Sequence, residues 1–395
     1  MTARFKKHLF IDCDPSADDA LAIMLALRSP ELLVEGITTA AGVCDVDRCT
    51  ENARRVVAIM GRTDIPVVRG AAHPLSRHLT FDDAYCGADG LSETGLFEAR
   101  LLSSGNPTPE KTESEVLLSG KMPFGKPTFG KPASEQPLPE QTAAGCRWES
   151  EQTGFEEPVS KQLVSKEDAA DFLHRKLNAR EALSDDERDS GARFHILSIA
   201  PMINLAMLLT RYPEDKARIA SIVTTSGSYS VQPDRHHWNP RPSWNVKADP
   251  EAAKIVLESG IPVYAAGLDV TARLSNELMR RILAEGEKRE KQGGACANPF
   301  PLTFLKRAVR FNESHGLEPY SLLVDAMGAA LCARPDLASF VHGKTAVCTD
   351  DGIMLGQTLF GTEGYLDQTE SDVYAAESFD FDAFASLLLE RVFAG

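Results

Sequence analysis

The chain has 395 residues, 43% of them hydrophobic and 25% charged, with a formal net charge of −15. That is the composition of a globular protein with an ample core, long enough for one large domain or two ordinary ones. Such a negative charge argues against nucleic acid or an anionic membrane as partner, since both reward clustered Lys and Arg, and leaves a small molecule as the expected one.

Eight cysteines are scattered without a Cys-x-x-Cys pair or a Cys/His run at zinc-ligand spacing, which points to a reduced, cytoplasmic setting. The apolar stretch near the start is short and interrupted by Asp12, unlike a signal peptide. No run of about 18 apolar residues predicts a membrane span.

In chain order, 8–11 reads as a short buried strand, and Asp18 opens a helix whose apolar positions 21, 23, 24, 25 and 27 run nearly all round it. Residues 33–39 predict a second strand, 50–60 a helix and 65–68 a third strand. This alternation predicts an α/β domain with a mostly parallel central sheet flanked by helices, a Rossmann-like core. From about Leu101 to Pro158 the composition turns to Pro, Gly, Ser, Thr, Lys and Glu, with the near-repeat Phe124-Gly-Lys-Pro-Thr and Phe129-Gly-Lys-Pro-Ala. That stretch reads as a disordered insertion in a single domain spanning 1–395, because it offers little apolar surface to offset its ordering entropy. Order resumes with a helix at 166–177, a strand at 194–199, a helix at 204–210 and a strand at 219–225. After the polar loop 232–244, Asp249 caps a helix with Pro250 at its first position. A strand at 263–268 follows, then helices from 275, at 304–311, at 324–332 and at 379–393.

The stretch that carries chemistry is Asp12-x-Asp14-x-x-x-Asp18-Asp19, four carboxylates where the first strand hands over to the first helix. Two unit charges about 5 Å apart repel by roughly 3 kcal/mol at an effective dielectric near 20. A helix N-terminus returns only about 0.3–1 kcal/mol per acidic side chain. The deficit points to a divalent cation, and hard oxygen ligands point to Ca²⁺ or Mg²⁺ rather than zinc. In a parallel sheet, ligands sit at the carboxyl ends of strands, where this cluster falls. The bland alternative is a set of helix caps. The spacing also admits an aspartyl-phosphate phosphatase with Asp12 as nucleophile.

Asp12, Asp14, Pro15, Asp18, Asp19 and Ala20 match the opening signature D-x-D-P-G-x-D-D-A of the inosine-uridine-preferring nucleoside hydrolases, with Ser16 in place of Gly. Further matches follow in the same order: Gly36-Ile37-Thr38-Thr39 with Ala41-Gly42, Pro66-Val67 with Gly70, Asp89-Gly90-Leu91, Pro201 with Asn204, Asn245 ahead of Asp249-Pro250-Glu251, Gly267 to Thr271, and Asp325-Ala326. Over about 8–92 and 163–394 the chain therefore resembles that family. The resemblance implies a Ca²⁺ held by Asp14, Asp19, the backbone carbonyl of Ile199 and Asp325, with Asp14 as general base on a calcium-bound water. It assigns Asp18 and Asn245 to the ribose hydroxyls, and Asp18 also to stabilising positive charge at C1′. Glycoside hydrolysis through an oxocarbenium-like state makes sense of those assignments.

The departures lie elsewhere. Val43 replaces the family's Asn, Cys86 a His, Ser243-Trp244-Asn245 a Glu-Phe-Asn, and Val324 a His. Metal and ribose-diol ligands are kept, while the contacts to the leaving base and the 5′ hydroxyl are rewritten. Candidate substrate contacts on the rewritten side are Cys86, Ser243, Trp244, His237 and Asn239 in the polar loop, and His315 ahead of Asp325, with Arg310, Asn312 and His236 beside them. Trp238 or Trp244 offers a stacking surface for a base. The expectation is an N-ribohydrolase acting on a purine or pyrimidine ribonucleoside, a homodimer or homotetramer. The alternatives are a family member that binds a ribosyl ligand without turnover, and the phosphatase.

Overall fold

The computed structural model describes residues 6–81, 83–95, 167–179, 193–231, 242–291, 299–362, 364 and 366–393. The expected insertion at 101–158, with its Phe-Gly-Lys-Pro repeat, lies outside the described residues, as do His236, His237, Trp238 and Asn239. Nine strands form one sheet in the order β3-β2-β1-β4-β5-β6-β9-β7-β8. They are β1 Lys7–Cys13, β2 Leu32–Thr39, β3 Val67–Arg69, β4 Phe194–Ser198, β5 Ile219–Thr224, β6 Pro262–Ala265, β7 Ala338–Val347, β8 Thr358–Gly361 and β9 Asp372–Phe379. From β3 to β9 every neighbouring pair is parallel, and β7 runs antiparallel to both β9 and β8.

The central strands are apolar runs because both faces are covered, as parallel sheets require. In β1, Leu9 and Ile11 join one core cluster while Phe10 between them joins the other. On the first face lie α1 Ala17–Arg28, α2 Val46–Ile59, α9 Asn276–Lys291, α10 Phe300–Ser314, α11 Val324–Ala333 and α12 Phe381–Leu388. The second face carries α4 Ala169–Asn178, α5 Ile203–Arg211 and α7 Pro250–Leu257. Helix α1 buries Ala17 and every residue from Asp19 to Ala26, which explains its apolar character all round. Short helical turns α3 Asp83–Cys86, α6 Trp244–Ala248 and α8 Leu268–Thr271 complete the set. Among the described residues no helix is long and apolar enough to cross a membrane.

The structure corrects several expected boundaries. Helix α2 begins at Val46, with the Asp45 carboxylate accepting the Arg48 N–H at 3.0 Å, rather than at 50. Strand β6 stops at Ala265, and Leu268 opens α8. Phe379, expected in the last helix, ends β9; the helix runs from Phe381 behind an Asp380 cap and continues as a π-turn over Leu389–Phe393. The strands β7, β8 and β9 were not among the expected elements. The cap expected at Asp249 is present, its carboxylate accepting the Ala252 N–H at 2.9 Å.

What this architecture places is a row of strand ends. Register aligns Asp12 with Thr38 and Ser198, and Thr224 with Ser198 and Ala265. The residues just beyond them, from β1 into α1, from β4 at Ile199 and from β5 at Thr225, meet at the carboxyl edge of the sheet.

Candidate active site

Asp12 is the last acidic residue still within β1, and its side chain is structural. Thr38 Oγ1 and Asn204 Nδ2 each donate to its Oδ1 at 2.7 Å, while its Oδ2 accepts no hydrogen bond. Burial raises its carboxyl to about 6, against the lowering effect of those two donors. Asn204 ties this pair to the neighbouring loops, donating also to the Thr39 carbonyl at 3.1 Å and accepting the Ala71 N–H at 2.9 Å.

Past the strand end the chain turns into α1, and three carboxylates follow. Asp14 Oδ2 accepts the Val43 N–H at 2.9 Å from the loop after β2. Gly42 precedes that amide, and any Cβ there would collide with the Asp14 carboxylate, so a side chain at 42 would displace the acid. Asp19 caps its own helix: it accepts the N–H of Ser16 at 3.0 Å and of Asp14 at 3.3 Å. The Ser16 hydroxyl donates to Asp18 Oδ1. From a neighbouring helix on the same face, Asp325 in the first turn of α11 receives the Thr225 hydroxyl on its Oδ1 at 2.8 Å.

These four aspartates line a cavity of about 310 Å³ together with Ser16, Val43, Tyr85, Ile199, Thr225, Ser226, Ser243, Trp244, Asn245, Leu268, Thr271 and Val324. Carboxylate oxygens of Asp18, Asp19 and Asp325 all lie within 4.8 Å of one another. Burial, followed by the charge of its neighbours, pushes the carboxyls of Asp14, Asp19 and Asp325 well above the usual carboxylate range, and burial raises Asp18. No Lys, Arg or His lies among the lining residues described. Buried carboxylates crowded without a basic partner are stable only with a cation or shared protons, and an all-oxygen donor set fits Ca²⁺. The helix caps expected as the bland reading are real at Asp19, yet they leave Asp14, Asp18 and Asp325 unaccounted for.

The expected ligand set overlaps this cluster without coinciding with it. Asp19 and Asp325 belong to both. Asp18, expected on the sugar alone, stands in the oxygen cluster. Asp14 lines the same cavity, and the Ile199 carbonyl accepts Asn245 Nδ2 at 2.8 Å, so that carbonyl sets the orientation of the Asn245 amide. Ser243 Oγ accepts the Gly227 N–H at 2.8 Å. Trp244 stands at the cavity 45% exposed, an aromatic surface open to a ligand.

Two expected contacts fall elsewhere. Cys86 is buried 3.1 Å from Cys44, sulfur to sulfur, in a cluster with Cys49, and is not among the lining residues. His315 stacks on Phe311 with ring centroids 4.0 Å apart, also outside the lining. Asn312 is likewise buried, donating to Ser321 Oγ at 3.2 Å and to the Glu318 carbonyl at 3.3 Å. His237 and Asn239 lie outside the described residues.

Sequence reasoning missed Tyr85, along with Thr225, Ser226, Leu268 and Thr271 of the same lining. The Tyr85 hydroxyl is hydrogen-bonded to Ser321, and the negative charge of Asp18, then burial, raises its pKa so that it keeps its proton. Its position directly before Cys86 was the available signal: the four-residue turn buries Cys86 and faces Tyr85 to the cavity.

Known proteins resemble the chain in sequence and in fold. The protein-family model for inosine-uridine preferring nucleoside hydrolase matches residues 9–386. Pyrimidine-specific ribonucleoside hydrolase RihA of Escherichia fergusonii is 29% identical over 388 residues, covering 97% of this chain and 97% of the relative. Among solved structures, the plant nucleoside hydrolase PpNRh1 matches with a TM-score of 0.66 at 22% identity, over 99% of this chain and 100% of that one. A purine-preferring ribonucleoside hydrolase from Gardnerella vaginalis matches at 0.65 and 20% identity, over 98% of each chain. At those identities the two structures speak for the fold, while the family match runs through nearly the whole sequence and takes in every acidic residue of the cavity. The chain therefore belongs to the inosine-uridine preferring nucleoside hydrolase family and is a nucleoside hydrolase by class.

Proposed function

We propose that the protein hydrolyses the N-glycosidic bond of a ribonucleoside to ribose and free base, with Ca²⁺ as cofactor and Asp14 as general base. The observation that carries this reading is the convergence of Asp14, Asp18, Asp19, Asp325 and Asn245 on one cavity. Asp19 and Asp325, with Asp14, Asp18 and the Ile199 carbonyl beside them, would hold the ion; when bound, it would offset part of the charge of the crowded carboxylates and make a water more acidic.

Asp14 takes the proton of the attacking water, anchored for that task by the Val43 N–H. Attack at C1′ passes through a positively charged sugar, and the Asp18 carboxylate, set by the Ser16 hydroxyl, stabilises that charge and accepts a ribose hydroxyl proton in a hydrogen bond. Asn245, oriented by the Ile199 carbonyl, binds the adjacent ribose hydroxyl. Trp244 gives the base a stacking surface.

The phosphatase reading makes Asp12 the nucleophile, but Asp12 is 1% exposed and does not line the cavity. The homo-oligomeric state and cytoplasmic setting expected from the sequence stand with the proposal, and light scattering of the full chain tests the former.

The experiment is a reducing-sugar assay with inosine, guanosine, uridine and cytidine, with and without EDTA and Ca²⁺ repletion. Ribose release that EDTA abolishes and Ca²⁺ restores is the expected result. Thermal stabilisation by ribose with no release from any nucleoside would establish a binder instead, and phosphate release from a phosphomonoester would establish the phosphatase.

A further inference from the structure

A second cavity, of about 270 Å³, lies at the amino edge of the sheet, where Lys7 opens β1 and Pro262 opens β6. Leu331 and Cys332, in the last turn of α11, line it, whereas Asp325 of the acidic floor stands in the first turn of the same helix. Ten helical residues rise about 15 Å, so the two cavities are separate, and no described residue lines both.

Across three strands a row of rings stands in register. His342 of β7 pairs with Tyr374 of β9, which pairs with Tyr264 of β6. The rings stack, with centroids 4.5 Å apart at 24° for the first pair and 4.8 Å apart at 14° for the second. Those separations match the spacing of neighbouring strands, so the ring faces point from strand to strand. The next residue in register, on β5, is Val223, which has no ring. The row therefore ends on the Tyr264 face directed at β5, and Tyr264 and Val223 both line the cavity. Phe340 packs edge-on against Tyr264, at 84° with centroids 5.4 Å apart.

The polar groups lie one row nearer the amino edge. Ser221, 7% exposed, is in register with His195, whose Nδ1 is 2.8 Å from the serine Oγ. Burial, then the charges of Lys7, Arg193 and His8, lowers His195 to about 4, so at neutral pH its imidazole offers one donor and one acceptor. Lys7 Nζ gives one hydrogen to the Cys332 carbonyl at 2.9 Å and keeps two. An apolar slot beside an open aromatic face, with donors and an acceptor along one edge, suits a flat ring that carries carbonyl and N–H groups at its rim.

We propose that this cavity is a second ligand site, which binds a planar heteroaromatic ring of the nucleobase type as the fourth member of the row, stacked on Tyr264 over Val223 with its polar rim toward Lys7, His195 and Ser221. The proposal does not depend on the hydrolase reading: its test is binding, and ribose release is measured apart.

The test is equilibrium dialysis of the full chain with labelled uracil, set against dihydrouracil, which keeps the carbonyl and N–H groups on a puckered, non-aromatic ring. It is run in Trp244→Ala, which removes the aromatic face of the active-site cavity, so that what stays bound is assigned to the second cavity. Uracil is expected to bind at least about threefold more tightly than dihydrouracil. Adding Tyr264→Leu should weaken uracil by about fivefold or more. Adding Val223→Phe instead supplies the missing ring from the protein: uracil binding should be lost, with the melting temperature moved by no more than about 2 °C. Equal binding of the two ring systems, or no binding tighter than about 10 mM, would overturn the proposal. Uracil binding that survives either added substitution would overturn it too, by placing the ring elsewhere. A larger fall in melting temperature in Val223→Phe would mean that the space beside Tyr264 is already filled, and would overturn it as well.

Discussion

The floor of the cavity and its walls are built differently. Floor carboxylates stand at strand ends and in the first turns of α1 and α11, helices of 12 and 10 residues packed into the core, and each is fixed by hydrogen-bond donors, from the loop after β2 for Asp14, from the β1–α1 turn for Asp18 and Asp19, and from the residue after β5 for Asp325. Wall residues Tyr85, Trp244 and Leu268 stand on helical turns of only four or five residues. Asp14 and Asp19 are held by main-chain N–H groups, and Asp18 and Asp325 by the hydroxyls of Ser16 and Thr225 next to the ordered strand ends, so the floor keeps one geometry. A single helical turn has no such reinforcement and adapts to its side chains. The contrast teaches why the acidic motif identifies the sugar chemistry while base preference follows separate rules. The relatives' own names illustrate this, with one pyrimidine-specific and one purine-preferring on the same fold.

The largest expected effect breaks the floor. Asp14→Asn keeps the shape and can still accept the Val43 N–H, but it removes the base; kcat should fall by about 10³-fold with the melting temperature moved by no more than about 2 °C. Substantial residual turnover in steady-state assays would remove Asp14 from the role of base.

Chelation comes next, and its sign follows from the raised carboxyls. With no metal bound, Asp14, Asp19 and Asp325 have folded pKa values well above their unfolded ones. The folded protein therefore binds more protons, so the contribution of these groups is fully present at low pH and is lost as pH rises through the raised values. In EDTA the melting temperature should fall between about pH 5 and about pH 8, while in Ca²⁺ it should change far less. Parallel EDTA and Ca²⁺ melting curves across that range would refute the crowded floor as the metal site.

A smaller effect is expected behind the floor. Asn204→Ala strips a donor from buried Asp12 and leaves the Ala71 N–H short of a partner, while the Thr39 carbonyl keeps the Gly70 N–H. Leaving such groups buried costs about 1–3 kcal/mol each, so denaturant unfolding should show a loss of about that size, with kcat reduced far less than by Asp14→Asn.

The same division explains what could be read from the sequence. Strands β1, β2, β4 and β5 were legible because largely buried strands are apolar runs, and Asp14, Asp18 and Asp19 were legible because fixed spacing at a strand end is itself the geometry, whereas Asp325, in a helix far along the chain, was reached only through the family resemblance. Strands β7 and β9 escaped because they are half-exposed and mix polar with apolar positions, as in Ala338–Val347. Cys86 and His315 were placed on the wall by position in a motif, and one residue of rotation on a short turn was enough to bury Cys86 and present Tyr85. No periodicity marks such a turn, since four residues make barely more than one revolution.

The finest test therefore belongs to the wall. Tyr85 reaches the cavity from α3 and is held through Ser321, whose hydroxyl in turn accepts Asn312 Nδ2 from α10. Removing the phenolic oxygen in Tyr85→Phe, or its tether in Ser321→Ala, should lower kcat/KM by about threefold, the scale of one hydrogen bond worth about 0.5–1.5 kcal/mol, with the change falling on KM if the hydroxyl only shapes the wall. Because both substitutions cut one link, the double variant should be no worse than either alone. Additive losses would mean that Ser321 acts on the site by a route other than Tyr85. If both single variants matched the parent in kcat and KM, the wall beside Asp18 would be a passive surface, and Trp244 would be the wall residue left to test.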